Sequence, residues 1–398
     1  MGRVAAAEAP LYGVRKEHVW IPMKDGVRLA ADLFMPVGGK AGEKFPAVFE
    51  YDPYRKDDNS VGSDVVEYFV ARGYIGARVD IRGTGRSEGH TPDREYSRQE
   101  LDDGEEIIAW LAKQPWSNGA VGIFGLSWSG FNGIQLAMRN PTALQAVITA
   151  CSTERLFAED VHYSHGIMQT DRYDFAMDSR NPYSPSPDFP IDEATLNNRF
   201  DNPPWELLWL RHQRDDAFWQ EPEKSLSTLR IPVLLMGGFV DLYRDSVPRF
   251  LAEVKAPVRA IVGPWGHDWP HDSELGPAVE WRDLAVRWWD QWLKGRETGV
   301  ASEPKLAVYM RHWVPPDPTL TEIPGEWRTE DGWPPRNQRL QSLYLRPDHA
   351  LGAERVSAMG MHSLEYVPSV GRSVGLGWLA SITMASNVRA FSSSVSTR

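Results

Sequence analysis

Ala120-Val121-Gly122-Ile123-Phe124-Gly125-Leu126-Ser127-Trp128-Ser129-Gly130 carries an apolar strand into a serine enclosed by small residues, the pattern of a strand–turn–helix elbow in an α/β protein. A serine hydroxyl is a weak nucleophile at neutral pH. It gains reactivity when it projects from a tight turn where a base can reach it and a backbone N–H can meet the developing oxyanion. Gly125 lies two residues before Ser127 and Ser129 two after, where larger side chains would collide as the chain reverses. Phe131-Asn132-Gly133-Ile134-Gln135-Leu136-Ala137-Met138 continues as a helix. The plain alternative is a glycine-bounded βα turn that happens to contain a serine, and the elbow alone does not separate the two.

Two later runs do. Ile231-Pro232-Val233-Leu234-Leu235-Met236 leads through Gly237-Gly238-Phe239-Val240 to Asp241, and Ala260-Ile261-Val262-Gly263-Pro264-Trp265-Gly266 leads to His267. Both read as buried strands, and open parallel sheets collect their catalytic groups outside the carboxyl ends of their strands. Ser127, Asp241 and His267 then share one edge, in the chain order of the α/β-hydrolases. Asp245 and Asp268 compete with Asp241 as the orienting acid; Asp241 is preferred because it alone immediately follows a strand. Among ten histidines, His267 alone closes a Gly-Pro-Trp-Gly turn after an apolar strand. His162 and His165 have helical i,i+3 spacing, but no third ligand stands in an obvious position, so a zinc site is not expected.

Tyr51-Asp52-Pro53-Tyr54-Arg55-Lys56, Asp80-Ile81-Arg82-Gly83-Thr84-Gly85-Arg86-Ser87-Glu88-Gly89, Pro115-Trp116-Ser117-Asn118-Gly119, the serine turn and Gly263-Pro264-Trp265-Gly266-His267 follow one another in order. In these blocks the sequence resembles the CocE/NonD hydrolases, a group similar to the S15-type Xaa-Pro dipeptidyl-peptidases, cocaine esterase and the α-amino-acid ester hydrolases. The resemblance runs from about His18 to about Leu351. It implies that Tyr54 donates its hydroxyl to the oxyanion beside the backbone N–H of Trp128. One such donor contributes about 3 kcal/mol to lowering the barrier. Without the resemblance, Tyr54 reads as a core tyrosine at a strand end. The resemblance also implies a C-terminal β-jelly roll. Leu306-Ala307-Val308-Tyr309-Met310 and Leu340-Gln341-Ser342-Leu343-Tyr344-Leu345 are expected to be its first strands. Beyond about Gly375 the text departs from the family and ends serine-rich, so a truncated or frame-altered product with roughly twenty disordered final residues is expected.

The chain thus divides into an α/β-hydrolase domain in two parts, 1–150 and 226–298, a mainly helical cap at 151–225, and a partial β-sandwich at 299–398. Val27–Phe34 alternates as an antiparallel strand, Phe45–Tyr51 and Tyr74–Asp80 read as further strands, and Val65–Gly73 reads as an amphipathic helix stopped by glycine. Glu105–Leu111 reads as a helix entered through Asp102 and Asp103, whose charges favour its N-terminal end. Trp281, Trp288, Trp289 and Trp292 recur at helical spacing and read as core.

A formal net charge of −11 argues against nucleic acid or an anionic membrane as partner. The single cysteine, Cys151, permits no internal disulfide and reads as a small buried side chain. No signal-peptide core or long apolar span appears, which makes a cytoplasmic location the default. A homo-oligomer is left open. The expected function is a serine hydrolase cleaving ester, amide or short-peptide substrates through an acyl-enzyme, with no metal or organic cofactor. An Xaa-Pro dipeptidyl-peptidase is the alternative within the class, and a catalytically silent binding protein the alternative outside it. Glu159 and Asp160, at the start of the cap, have two readings: a solvated helix face, the commoner fate of charge runs, or a pocket for a substrate's free α-amino group, as the resemblance suggests.

Overall fold

The computed structural model describes residues 9–57, 63–160, 162–164, 166–168, 193, 196–197, 205–221, 225–315, 317, 319–346 and 350–355. Its centre is a ten-stranded sheet. The strands are β1 (Gly13–Pro22), β2 (Arg28–Val37), β3 (Phe45–Asp52), β4 (Ile75–Asp80), β5 (Ser117–Leu126), β6 (Leu144–Ala150), β9 (Val233–Gly238), β10 (Val258–Gly263), β11 (Leu306–Arg311) and β12 (Gly325–Glu330). They lie in the order β1-β2-β4-β3-β5-β6-β9-β10-β11-β12. Strands β4, β3, β5, β6, β9, β10 and β11 run parallel, with β1, β2 and β12 joining antiparallel at the margins. Two short hairpins stand apart: β7 (Tyr163–Ser164) with β8 (Ile167–Met168), and β13 (Tyr344–Leu345) with β14 (Leu351–Gly352).

The parallel strands are apolar because both faces are covered. Every residue of β4, β9 and β10 is buried, as expected where helices pack on both sides of a sheet. Helix α1 (Asp64–Val70) sits so close to β4 that a Cβ on Gly76 would meet Val66 Cγ2 at 2.2 Å. Helices α2 (Arg98–Lys113) and α3 (Trp128–Arg139) pack on the centre, and the helix Trp281–Leu293 buries Trp281, Trp288 and Trp289 in the core, as their spacing predicts.

Several expectations change. Leu306–Met310 does not open a separate β-sandwich: β11 pairs with β10 in register Ala260↔Leu306, and β12 pairs with β11. The hydrolase sheet therefore continues to Glu330, past the boundary expected at 299, because β10 leaves an edge that the next apolar strand fills. Of the strand expected at Leu340–Leu345, only Tyr344 and Leu345 pair, in an exposed hairpin. Helix α2 begins at Arg98, earlier than expected, and Ser97 caps it by accepting from Glu100 N. Asp103 lies inside that helix, buried against Arg82 at 2.6 Å, and Asp102 bonds Arg139 at 2.7 Å.

The described cap includes the helices Trp205–Arg211 and Ala217–Gln220 together with the β7–β8 hairpin. His165, most of the cap between 169 and 204, and the tail beyond about Gly375 lie outside the described residues. No described helix is long and apolar enough to cross a membrane.

Candidate active site

Ser127 joins β5 to α3 with φ 58° and ψ −124°, a conformation that costs a side-chain-bearing residue about 1–3 kcal/mol and clusters at functional turns. The surroundings impose it. Ser127 N donates to Ala150 O at 3.0 Å, and Ser127 O accepts from Phe131 N at 2.9 Å as the first turn of α3 forms. A Cβ on Gly125 would meet Ser129 Cβ at 2.2 Å, and one on Gly130 would meet Thr149 Oγ1 at 2.6 Å. The small residues are therefore a steric requirement of the turn. Ser127 remains partly exposed while Trp128 behind it is buried.

Asp241 and His267 follow β9 and β10, which share the carboxyl edge of the sheet with β5. The two loops are stitched together, Phe239 N donating to Gly263 O at 2.9 Å and Val240 N to Trp265 O at 3.1 Å. Gly238 permits this approach, since a Cβ there would lie 2.2 Å from Trp265 O. Across the junction His267 Nδ1 meets Asp241 Oδ1 at 2.9 Å, with both residues buried. Of the three aspartates weighed from sequence, Asp241 makes this bond. Asp245 leads into the helix Ser246–Glu253, and Asp268 is a part-buried neighbour whose pKa is raised by burial.

Tyr54 lies just beyond β3, its ring edge-on to Trp128 with centroids 6.1 Å apart. The two residues expected to form the oxyanion hole are thus in contact. Their supports differ. The Tyr54 loop is tied down by the next residues: Lys56 N donates to Asp80 Oδ1 at 2.7 Å, and buried Lys56 Nζ lies 2.9 Å from Asp32 Oδ1. Trp128 opens α3, where the first backbone N–H groups have no intrahelical acceptor. Its indole Nε1 donates to Glu100 Oε1 at 2.7 Å, and Asn132 Nδ2 donates to the same oxygen at 2.8 Å.

The solvated reading of Glu159 and Asp160 fails, as they are only 4 % and 2 % exposed. Glu159 pairs with the Arg249 guanidinium and accepts from Thr153 at 3.2 Å. Burial lifts its pKa to about 7 against the pull of Arg249. With that cation already on it, Glu159 is poorly placed to receive another. Asp160 Oδ1 accepts from Tyr243 Oη at 2.9 Å, and the Tyr243 ring lies 5.8 Å from the His267 ring. His162 stacks on Trp209 at 3.6 Å and bonds Glu95 at 2.6 Å.

Tyr243 and Glu100 escaped the sequence reading. Tyr243 sits two residues past Asp241, a spacing that offered a signal, whereas Glu100 stands ahead of the helix read at Glu105–Leu111 and offered none. An apolar cavity of about 380 Å³ beside β10–β12, lined by Phe239, Val247, Leu251, Val308, Met310 and Trp333, includes none of Ser127, Asp241 and His267.

The sequence profile of the X-Pro dipeptidyl-peptidase (S15) family matches residues 25–269. The cocaine esterase of a Rhodococcus species is 26% identical over 82% of this chain and 62% of its own. A CocE/NonD family hydrolase from Staphylococcus aureus superposes with a TM-score of 0.68 at 21% identity, covering 87% of this chain and 61% of that one. An α-amino acid ester hydrolase superposes with a TM-score of 0.62 at 20% identity, covering 89% and 65%. The chain therefore spans about three fifths of the length of the relatives it matches. Its sheet is an α/β-hydrolase sheet, and with a match that spans the elbow, Asp241 and His267, the chain belongs to the X-Pro dipeptidyl-peptidase (S15) family.

Proposed function

We propose that this protein is a serine hydrolase that cleaves ester or amide bonds through an acyl-enzyme. The observation that carries the reading is the Asp241–His267 hydrogen bond of 2.9 Å, placed on the same sheet edge as the strained turn of Ser127. In this mechanism Ser127 Oγ attacks the carbonyl carbon while His267 takes its proton. Asp241 fixes the imidazole tautomer and stabilises the imidazolium. The tetrahedral oxyanion meets the Tyr54 hydroxyl and the Trp128 N–H. His267 returns the proton to the leaving group, and water, deprotonated by the same imidazole, releases the acid. A panel of p-nitrophenyl esters, amino-acid esters and Xaa-Pro anilides tests the reading. Turnover of one class that disappears in Ser127→Ala supports it, while a folded protein that binds these compounds and turns over none points to a silent binding protein.

Asp160 favours a narrower reading, in which the acyl portion carries a free α-amino group. A buried carboxylate held by Tyr243, whose ring neighbours His267, provides a negative site close to the reacting centre. A desolvated ammonium–carboxylate contact contributes strongly to discrimination. An α-amino ester should then be hydrolysed much faster than its N-acetyl derivative, and the preference should collapse in Asp160→Asn. Equal rates for the two esters in the wild type would leave a general carboxylesterase.

A further inference from the structure

Cys151 follows β6 with φ 50°, inside the left-handed region that side-chain-bearing residues seldom adopt. Its N–H donates to Met236 O of β9 at 3.2 Å. The resulting orientation turns the thiol beneath the pair that serves Ser127. The Cys151 sulfur, a carboxylate oxygen of Asp241 and a ring nitrogen of His267 all lie within 4.8 Å of one another, and all three residues are buried. Asp241 is 1 % exposed, and its Oδ1 takes the His267 bond. Among the described residues, no N–H or O–H donor reaches its Oδ2.

A buried carboxylate oxygen without a donor is costly, and native structures rarely leave one. The donor at hand is the thiol, whose sulfur lies within 4.8 Å of an Asp241 carboxylate oxygen and has Gly266 O at 3.8 Å as its present acceptor. Burial first, and then the Asp241 charge, push the thiol well above its ordinary range, so it carries its proton at neutral pH.

We propose that Cys151 is a positioning residue for proton transfer, donating its S–H to the second carboxylate oxygen of Asp241 and thereby setting the basicity of His267. The inference rests on the serine-hydrolase reading above. A donor on Oδ2 draws charge from the carboxylate and weakens its hold on the imidazolium, so the strength of the donor at position 151 governs proton transfer at this pair. Among the described residues, the Asp268 carboxylate and Tyr243, which in turn binds Asp160, also face this pair. None of them changes in the variants below. A thiol that merely filled space would alter stability without moving the pH profile of labelling.

The test measures the rate of labelling by a fluorophosphonate from pH 5 to 9 in the wild type, Cys151→Ser and Cys151→Ala. A hydroxyl donates more strongly than a thiol, and a methyl group not at all. The acid limb should therefore move down in Cys151→Ser and up in Cys151→Ala, each by about half a pH unit. If Cys151→Ala does not fold, the downward shift in Cys151→Ser still decides. Superimposed limbs, or the reverse order, would overturn the inference alone. A wild type that never labels would overturn the hydrolase reading and this inference with it.

Discussion

The indole Nε1 of Trp128 donates to Glu100 Oε1 across 2.7 Å, fastening the residue after the elbow serine to a buried carboxyl of helix α2. The oxyanion-side backbone is thus held from below by a group that has no contact with solvent.

Burial lifts the Glu100 pKa to about 7. The folded-state value lies above the unfolded one, so the stability linked to this group is full below the ordinary carboxyl range. It is lost as pH rises towards about 7, because the unfolded chain ionises first. Glu100→Gln keeps an acceptor for Trp128 and removes the titration. Urea unfolding at pH 5 and pH 8 should show the variant gaining on the wild type at the higher pH. Part of the slope will persist, since Glu50 and Asp80 are raised to about 7 in the same way.

Tyr54→Phe removes one hydroxyl beside Trp128 and keeps the ring contact. Because an oxyanion donor acts on the transition state, kcat should fall by about a hundredfold or more with KM little changed. A change confined to KM would place Tyr54 in substrate binding.

Arg249 holds two buried carboxylates, Glu154 at 2.6 Å and Glu159. Arg249→Met strands both, and removing one partner of a buried pair costs about 3–5 kcal/mol. Urea unfolding at pH 7 should show a loss towards that order, partly recovered by adding Glu154→Gln, which removes the carboxylate that Arg249 held at 2.6 Å.

The parts of this molecule that were legible in its sequence depend on local patterns. Apolar runs such as Val233–Gly238 and Val258–Gly263 read as buried strands, and the residues at their ends are the ones that meet across 2.9 Å. What was hidden depends on distant partners. Glu159 and Asp160 looked like a solvated face because the groups that bury them, Arg249 and Tyr243, stand 90 and 83 residues away. Asp103 passed for a helix-entry charge because its partner, Arg82, belongs to a loop 21 residues earlier. Periodicity also shows that Leu306–Met310 is a strand without saying which sheet receives it, and so β11 was assigned to the wrong layer. The position of Cys151 had no sequence signal, since its φ of 50° follows from the packing of strand ends.

Ser127 and His267 should act as a unit. Ser127→Ala and His267→Ala are each expected to remove almost all turnover, and the double variant should lose little more, since groups that serve one step are strongly non-additive. Losses that simply multiply in the double variant would separate the two residues mechanistically.

The most direct test of the central claim is mass-spectrometric mapping of the adduct formed by a fluorophosphonate on the folded wild type. The mechanism predicts one phosphonate, on Ser127, absent from Ser127→Ala and formed at least about a thousandfold more slowly in His267→Ala. An adduct on another residue, or undiminished labelling in Ser127→Ala, would contradict it.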